Sequence, residues 1–205
     1  MKPDSAQPAR APRRNAPPRE AVLAAAMSTI AERGLAGLTM AGLGRTVGMS
    51  SGHLLYYFRS KDELLLQTLE WSEASLGDRR RALLGRDGPV RERLRAYVDL
   101  YVPVAPRDPH WTLWLEVWNR SQNAGPPERE RQSAIERAWH RDLVALFAEG
   151  VSRGEFRPLD ADRVATRTRA LLDGFSVQLA VGLPTPDRAT VLEHVDEYLT
   201  ELVES

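Results

Sequence analysis

The stretch TMAGLGRTVGMSSGHLLYYFRSKDEL, residues 39–64, predicts two short helices joined by a tight turn, with a third helix starting behind them. Thr39 precedes the first apolar pattern and Ser50 or Ser51 the second, positions at which a side-chain oxygen caps a helix. Gly48 between them is the residue type that adopts a positive φ just past a helix end. This order of cap, helix, glycine turn and second helix is that of a helix-turn-helix.

The second helix of this pair has one apolar and one polar face. Leu54 and Phe58, four residues apart, are expected to face the core. The residues left exposed near its start, the end that a helix-turn-helix inserts into the major groove, are Ser51, Gly52, His53 and Tyr56. Gly52 has no side chain there, so we expect the backbone to approach DNA closely.

Residues 19–66 contain Arg19, the VLAAA run of the first helix, Gly34, Thr39, the turn at Gly48, and above all the run YYFRSKDELL at 56–65. In these features the segment resembles the TetR family of bacterial transcriptional regulators. The chain departs from the family pattern at Gly44, Val47 and Leu55, where the family often has Ala, Ala and Tyr. One expected DNA contact is therefore missing at Leu55, and the adjacent tyrosines are candidates to replace it.

The resemblance and the helix-end positions together imply a set of DNA-contacting residues. His53 and Tyr56 are expected at base edges or the adjacent backbone, and Thr39, Tyr57 and Lys61 mainly at phosphates. The full predicted set for double-stranded DNA is Arg19, Thr39, Met40, Arg45, Ser51, Gly52, His53, Tyr56, Tyr57 and Lys61.

The charge distribution agrees with a DNA-binding N-terminal part. The 205-residue chain has no net charge, but residues 1–60 hold eight Lys or Arg and three Asp or Glu. That part is therefore +5 and the remainder −5. Residues 1–18, rich in proline and arginine, predict a disordered basic tail that is either a solvated leader or an arm that contacts DNA.

The remaining periodicity predicts an all-α fold with two domains. A first helix opens after Pro18 and stops at Gly34, and a long helix begins at Ser60 and Lys61. Five further helices are bounded by proline and glycine, and no segment alternates as a strand would. We expect a helix-turn-helix DNA-binding domain over residues 19–65 and a larger helical effector-binding and dimerisation domain over 66–205.

Residues 111–182 resemble, more faintly, the C-terminal domain of the choline and betaine-aldehyde responsive repressors within this family. The segments WLEVW at 114–118, EGVSRGEFRP at 149–158 and LLDGF at 171–175 carry the resemblance. It implies a branch of the fold and does not fix the ligand, since such regulators keep the DNA domain and vary the pocket.

The last two predicted helices carry apolar stripes that repeat at three and four residues. Either stripe fits intramolecular core, but the family resemblance pairs these helices with the same two of a second chain, and a two-fold dimer suits a palindromic operator. The residues expected at this homodimer interface are Val164, Leu171, Phe175, Leu179, Val191, Val195, Tyr198 and Leu202.

The ligand prediction depends on the aromatic residues of the C-terminal part. Trp111, Trp114 and Trp118 share one helix face, which fits either core packing or a pocket wall, including a cage for a cation. Asp173 lies in an apolar stretch and needs a partner, Arg167 or Arg169, or else caps a kink at Gly174. The candidate small-molecule site comprises Trp71, Tyr97, Tyr101, Trp111, Trp114, Trp118, Trp139, Asp173 and Phe175.

Catalysis and membrane insertion are not expected. The four histidines have no metal-binding spacing, and neither a nucleophile elbow nor a phosphate loop is present, so we expect no metal, cofactor or catalytic residue. No apolar run approaches the roughly 20 residues of a membrane span, and cysteine is absent, which fits the cytoplasm. The sequence thus predicts a ligand-responsive homodimeric repressor, the alternatives being an activator or an architectural DNA-binding protein without effector.

Overall fold

The computed structural model describes residues 17–204, so the predicted basic tail lies outside the described residues except at its last two positions. All regular elements in the described range are helices, which confirms the all-α prediction. They are α1 (Arg19–Gly37), α2 (Met40–Val47), α3 (Ser51–Phe58), α4 (Lys61–Leu84), α5 (Val90–Tyr101), α6 (Pro109–Arg120) with a 3-10 turn (Ser121–Asn123), α7 (Pro126–Ser152), α8 (Ala161–Ala180) and α9 (Arg188–Glu204). None of these helices is long and apolar enough to cross a membrane.

Side-chain caps fix the starts of the first short helices. Thr39, Ser50 and Ser60 each accept a hydrogen bond from the backbone N–H three residues ahead, at 3.0–3.1 Å. Gly48 ends α2 with φ +72°, the left-handed conformation that glycine adopts without strain. The turn between α2 and α3 therefore lies where the sequence predicts it.

Helix α1 is interrupted at Gly34, whose φ of +67° and ψ of 173° break the helical path before one last turn to Gly37. The break leaves the N–H of Leu35 without a helical partner. Glu116 of α6 accepts that hydrogen bond through Oε1 at 3.0 Å. A carboxylate of the C-terminal part thus holds the backbone of the first helix.

Two apolar cores are built around these helices. The C-terminal core consists of the buried apolar residues of α5, α7, α8 and α9 with Leu83, Val102, Trp111 and Phe156. The N-terminal core extends past the boundary predicted at residue 65, because Leu69 and three residues of α6 belong to it. Its members are Val22, Leu23, Ala26, Ile30, Leu35, Leu38, Leu43, Leu54, Phe58, Leu64, Leu65, Leu69, Leu113, Trp114 and Val117.

A glycine near the end of α7 allows the C-terminal core to close. A Cβ atom added at Gly150 would overlap the ring of Phe156, which is 5% exposed. We predict that Gly150→Ala lowers the free energy of unfolding by about 1–3 kcal/mol, the usual effect of overpacking a buried site. Urea denaturation at fixed protein concentration measures this change.

The matched control is the same substitution in a Phe156→Leu background. Leu lacks the ring that the new methyl group would strike, so Gly150→Ala should cost clearly less there than in the wild type. An equal cost in both backgrounds would show that the loss comes from the helix end and not from the ring.

Candidate functional site

The outward face of α3 is the first candidate site. Leu54 and Phe58 are buried, whereas Tyr56 is 80% and Tyr57 52% exposed. Adjacent exposed aromatic rings form a patch of the kind that marks an interaction site. The ring of Tyr57 lies 5.0 Å from that of His53, and the tyrosine rings meet edge to face at 5.5 Å. The polar and aromatic groups that the sequence predicts for DNA are therefore on one exposed helix surface.

Gly52 also lies on this surface, and the protein's own packing does not explain why this residue is glycine. A Cβ atom added there would meet no protein atom within 4 Å, so no contact inside the chain requires glycine. The missing side chain leaves room only outside the chain, which fits close approach of a partner.

The other predicted DNA contacts lie around the same helix pair. Arg45 and Thr39 are exposed, and Met40 and Lys61 are half-buried at the starts of α2 and α4. Arg19 donates a hydrogen bond to Gln67, which positions the start of α1 beside α4. All these residues stay as candidates.

The second candidate site is a small cavity enclosed by α5, α6, α7 and α8. Its free volume is about 20 Å³, the space of a single water molecule. The wall contains four indole rings and one phenol, with two charged groups and a histidine. The lining residues are Leu100, Tyr101, His110, Trp111, Trp114, Trp118, Glu136, Trp139 and Arg169.

The aromatic rings of the wall contact one another closely. Tyr101 meets the rings of Trp139 at 5.0 Å and Trp111 at 5.7 Å, both edge to face. Trp118 meets Trp114 at 5.4 Å and Trp111 at 5.9 Å. The residues predicted from the Trp stripe are therefore brought together around one space.

Each indole N–H of the wall donates to an acceptor of the protein. Trp111 donates to the backbone oxygen of Tyr101 at 2.8 Å, and Trp118 donates to Glu136 at 3.1 Å. Trp114 and Trp139 donate to the two carboxylate oxygens of a residue on α4, at 2.8 and 2.9 Å. These bonds fix the ring orientations and use up the indole donors.

That residue is Glu73, which the sequence reasoning missed. It is 5% exposed, and besides the two indoles it contacts Nε2 of His110 at 3.1 Å and a guanidinium nitrogen of Arg80 at 3.5 Å. Burial alone would raise the pKa of the Glu73 carboxyl, but the hydrogen bonds from His110, Trp139 and Trp114 hold it below its ordinary value. Glu73 is therefore ionised at neutral pH.

The sequence did contain a signal for Glu73. Leu66, Leu69, Glu73, Leu76 and Arg80 follow the 3-4-3-4 spacing of a buried helix face. Charged residues are rarely buried, so a Glu and an Arg at these positions indicate a buried polar site. Arg80 supports the assignment, since its Nε donates to Asp142 at 2.8 Å and its guanidinium lies 4.0 Å from the centroid of the Trp139 ring.

Asp173 has a partner that the sequence reasoning did not consider. The hydroxyl of Tyr101 donates to its Oδ1 at 2.5 Å, and the charge of Arg169 acts on the same carboxyl. Burial raises the pKa of Asp173 above its ordinary value, although Tyr101 and Arg169 oppose the shift. Of the alternatives considered, Arg169 is the arginine beside it.

Asp173 contacts Tyr101 but does not line the cavity, and three other residues predicted for the ligand site lie elsewhere. Trp71 packs against the N-terminal core, while its neighbours Ser72 and Glu73 face the cavity side. Tyr97 is wholly buried behind the wall and donates its hydroxyl to the backbone of Trp139 at 2.9 Å. Phe175 lies parallel to the ring of His194 on α9, at 5.9 Å. Helical spacing alone does not say which turn reaches a cavity.

Half of the residues predicted for the dimer interface are buried within the chain instead. Val164, Leu179, Val191 and Val195 are 0–6% exposed within the chain, so they belong to its own core. The spacing of three and four residues does not distinguish these positions from interface positions, because both faces of a packed helix can repeat in this way. The predicted residues that stay partly exposed are Leu171, Phe175, Tyr198 and Leu202.

The fold and the two sites define a class: a helix-turn-helix regulator whose C-terminal helices surround a small aromatic cavity. Residues 22–68 match the family model described as bacterial regulatory proteins, tetR family, and residues 90–204 match BetI-type transcriptional repressor, C-terminal. The chain belongs to the TetR family and has a BetI-type C-terminal domain. It is accordingly a transcriptional repressor of the BetI type.

Individual relatives agree over nearly the whole chain. The HTH-type transcriptional regulator BetI of Brucella anthropi is 27% identical over 88% of this chain and 91% of that protein. The BetI of Burkholderia mallei is 29% identical over 90% and 93%. The crystal structure of a transcriptional regulator from Saccharomonospora viridis in complex with choline has a TM-score of 0.83 at 28% identity, covering 90% of this chain and 96% of that one.

The predicted phosphate contact at Lys61 can be tested on an operator fragment selected from genomic DNA. Lys61→Ala should weaken binding to every DNA sequence alike and reduce the slope of log affinity against log salt by about one unit, since one phosphate neutralisation is lost. The control is Arg163→Ala, which removes an exposed positive charge from α8. A slope that falls equally in both variants, or in neither, would contradict the assignment.

Proposed function

We propose that the chain represses transcription as a homodimer in the cytoplasm, without catalysis of its own, and releases a palindromic operator when a quaternary ammonium cation occupies the aromatic cavity. The domain division at residues 19–65 and 66–205 assigns DNA binding to the first part and effector binding and dimerisation to the second. Two α3 helices related by a two-fold axis would meet half-sites roughly 34–36 Å apart, one turn of DNA. The partly exposed stripes of α8 and α9 are the proposed dimer surface.

The charge around the cavity favours a cation. Three carboxyl groups and two guanidinium groups belong to the wall and its immediate partners, so the carboxyl groups outnumber the guanidinium groups by one. The groups are Glu73, Glu136, Asp173, Arg80 and Arg169. A cation enters such a surrounding with favourable electrostatic energy, and aromatic faces add cation–π attraction.

The strongest support for a quaternary ammonium ligand comes from the indole N–H groups, which already donate to acceptors of the protein. Every indole N–H of the wall points at a protein acceptor, and those acceptors include the carboxylates of Glu73 and Glu136. A primary ammonium would need acceptors for its three N–H groups, and leaving them unpaired in a buried site is costly. A quaternary ammonium needs none, because its methyl groups pack on the ring faces. The choline bound by the Saccharomonospora viridis regulator has this chemistry.

The small volume of the cavity couples ligand entry to movement. With space for one water molecule, the cavity admits an effector only if side chains or helices separate. Helix α6 provides His110, Trp111, Trp114 and Trp118 to the wall, so a wider cavity displaces it. The opposite side of the same helix inserts Leu113 and Val117 into the N-terminal core.

Two helices therefore connect the cavity to the DNA-reading pair. On α6, Glu116 holds the N–H of Leu35. On α4, Ser72 and Glu73 contact His110, so α4 reaches the cavity wall through these two residues and not through Trp71. An effector that binds the displaced state more tightly shifts the dimer away from the operator-binding geometry, since only differential affinity moves such an equilibrium.

The proposed ligand class predicts a simple selectivity. Choline should raise the melting temperature, because binding to the native state stabilises it, whereas ethanolamine at the same concentration should have little effect. Thermal shift measurements at fixed pH and salt compare the two. Stabilisation by ethanolamine to the same degree would contradict the aromatic cage, and an absence of any stabilising small molecule would favour the architectural alternative.

The coupling path predicts a second result. Choline should bind free protein about 5- to 150-fold more tightly than the protein–operator complex, and Glu116→Ala should bring this ratio towards one by releasing Leu35 from α6. Glu116→Gln keeps an oxygen acceptor and should keep the ratio. Calorimetric titrations of the three proteins, with and without operator, provide the six affinities.

Equal affinities in the wild type would refute the release mechanism. Tighter choline binding to the operator complex would make choline a co-repressor instead. A ratio that Glu116→Ala leaves unchanged would place the coupling in α4 alone.

A further inference from the structure

Arg169 is the polar residue of the cavity wall whose hydrogen bonding is incomplete. It lies on α8, one turn before Asp173, and lines the cavity. One guanidinium nitrogen donates to the backbone oxygen of Glu136 at 3.2 Å. Its Nε is buried and has no hydrogen-bond partner among the described residues. A buried donor without an acceptor carries a desolvation cost that a ligand acceptor can remove.

Each of the other polar side chains of the wall has at least one hydrogen-bond partner. The four indoles donate as described, the hydroxyl of Tyr101 donates to Asp173, and His110 lies between Ser72 at 3.0 Å and Glu73 at 3.1 Å. Glu136 accepts from Trp118 and from Gln132, both at Oε1. Within the part of the chain that the structure describes, Nε of Arg169 is the one buried side-chain nitrogen of the wall that has no hydrogen-bond partner.

The charge near Arg169 limits the kind of acceptor. Asp173 and the hydroxyl of Tyr101 both interact with the guanidinium, and the carboxyl of Glu136 acts on Asp173 as well. A ligand carboxylate would approach these acidic groups together with the arginine, so its attraction to Arg169 is offset. A neutral oxygen avoids this repulsion and still satisfies Nε.

We propose that Arg169 is a specificity-determining residue that recognises a neutral oxygen, a hydroxyl or a carbonyl, on the arm of the quaternary ammonium effector. The proposal rests on the proposed function, because it concerns the same cavity. The aromatic rings hold the cationic head, and Arg169 distinguishes ligands by what the arm carries. A purely structural Arg169 would only join α7 to α8 through Glu136, and would treat all arms alike.

The test compares two ligands of nearly the same shape. Choline carries a hydroxyl where propyltrimethylammonium carries a methyl group, so their affinity ratio isolates the oxygen. In the wild type, choline should bind about 5- to 100-fold more tightly, the range expected when one buried charged donor gains or loses its acceptor. Glycine betaine, with a carboxylate arm, should bind more weakly than choline.

Two variants separate the hydrogen bond from the charge and from folding. Arg169→Met removes both, and the choline preference should fall to about one. Arg169→Lys keeps the positive charge without the Nε–H of the guanidinium plane, so it should also lose most of the preference. Because the ratio is taken within each variant, a general loss of stability cancels, and circular dichroism confirms that each variant is folded.

The outcomes are distinguishable. If all the ammonium ligands bind and Arg169→Met leaves the choline preference unchanged, this inference is overturned while the proposed function stands. If the wild type binds choline and propyltrimethylammonium equally, the inference also fails. If neither ligand binds, the proposed function fails, and the proposed role of Arg169 fails because it depends on that function.

Discussion

The buried carboxylate of Glu73 is the constraint on which the effector region depends. An ionised carboxylate that is 5% exposed is tolerated only when hydrogen bonds and opposite charge replace the water it has lost. Its donors come from α6 and α7, while Glu73 itself is on α4. Three helices therefore meet in a fixed arrangement at one charge. The loss of a single donor would leave the buried charge with too few hydrogen bonds. Small displacements of the three helices are therefore energetically unfavourable.

The same bonds explain the chemistry of the cavity. Indole rings carry one polar edge, and in this wall that edge is turned towards Glu73, Glu136 or a backbone oxygen. What faces the enclosed space is largely carbon and π density, backed by carboxylates whose charge is only partly balanced. Such a wall attracts positive charge and offers it few hydrogen bonds. The hydrogen bonding of the tryptophans and the proposed preference for a quaternary cation thus have one physical origin.

Helix α6 belongs to both cores, and this double membership joins the two parts of the chain. Its Trp111 is buried in the C-terminal core, while Leu113 and Val117 are buried in the N-terminal core. Packed cores resist continuous deformation, so a displacement of the helix on one side is passed to the other. The interruption of α1 at Gly34 adds a polar link, because it frees the N–H that Glu116 accepts. The break in α1 thus creates a hydrogen bond between α1 and α6, from Leu35 to Glu116, which lies 81 residues further along the chain.

The sequence by itself determined the helices, the helix-turn-helix and the family. These depend on local signals: the caps at Thr39, Ser50 and Ser60, the left-handed Gly48, and apolar spacing at three and four residues. Only the tertiary structure decided which side of each helix faces a core, the cavity or the surface. Trp71 and Trp114 look alike in sequence, yet only Trp114 reaches the cavity, and Val195 and Tyr198 share a stripe although only Val195 is fully buried. Glu73, Arg169 and Glu116 act through partners distant in the chain, and periodicity within one helix contains no information about another helix.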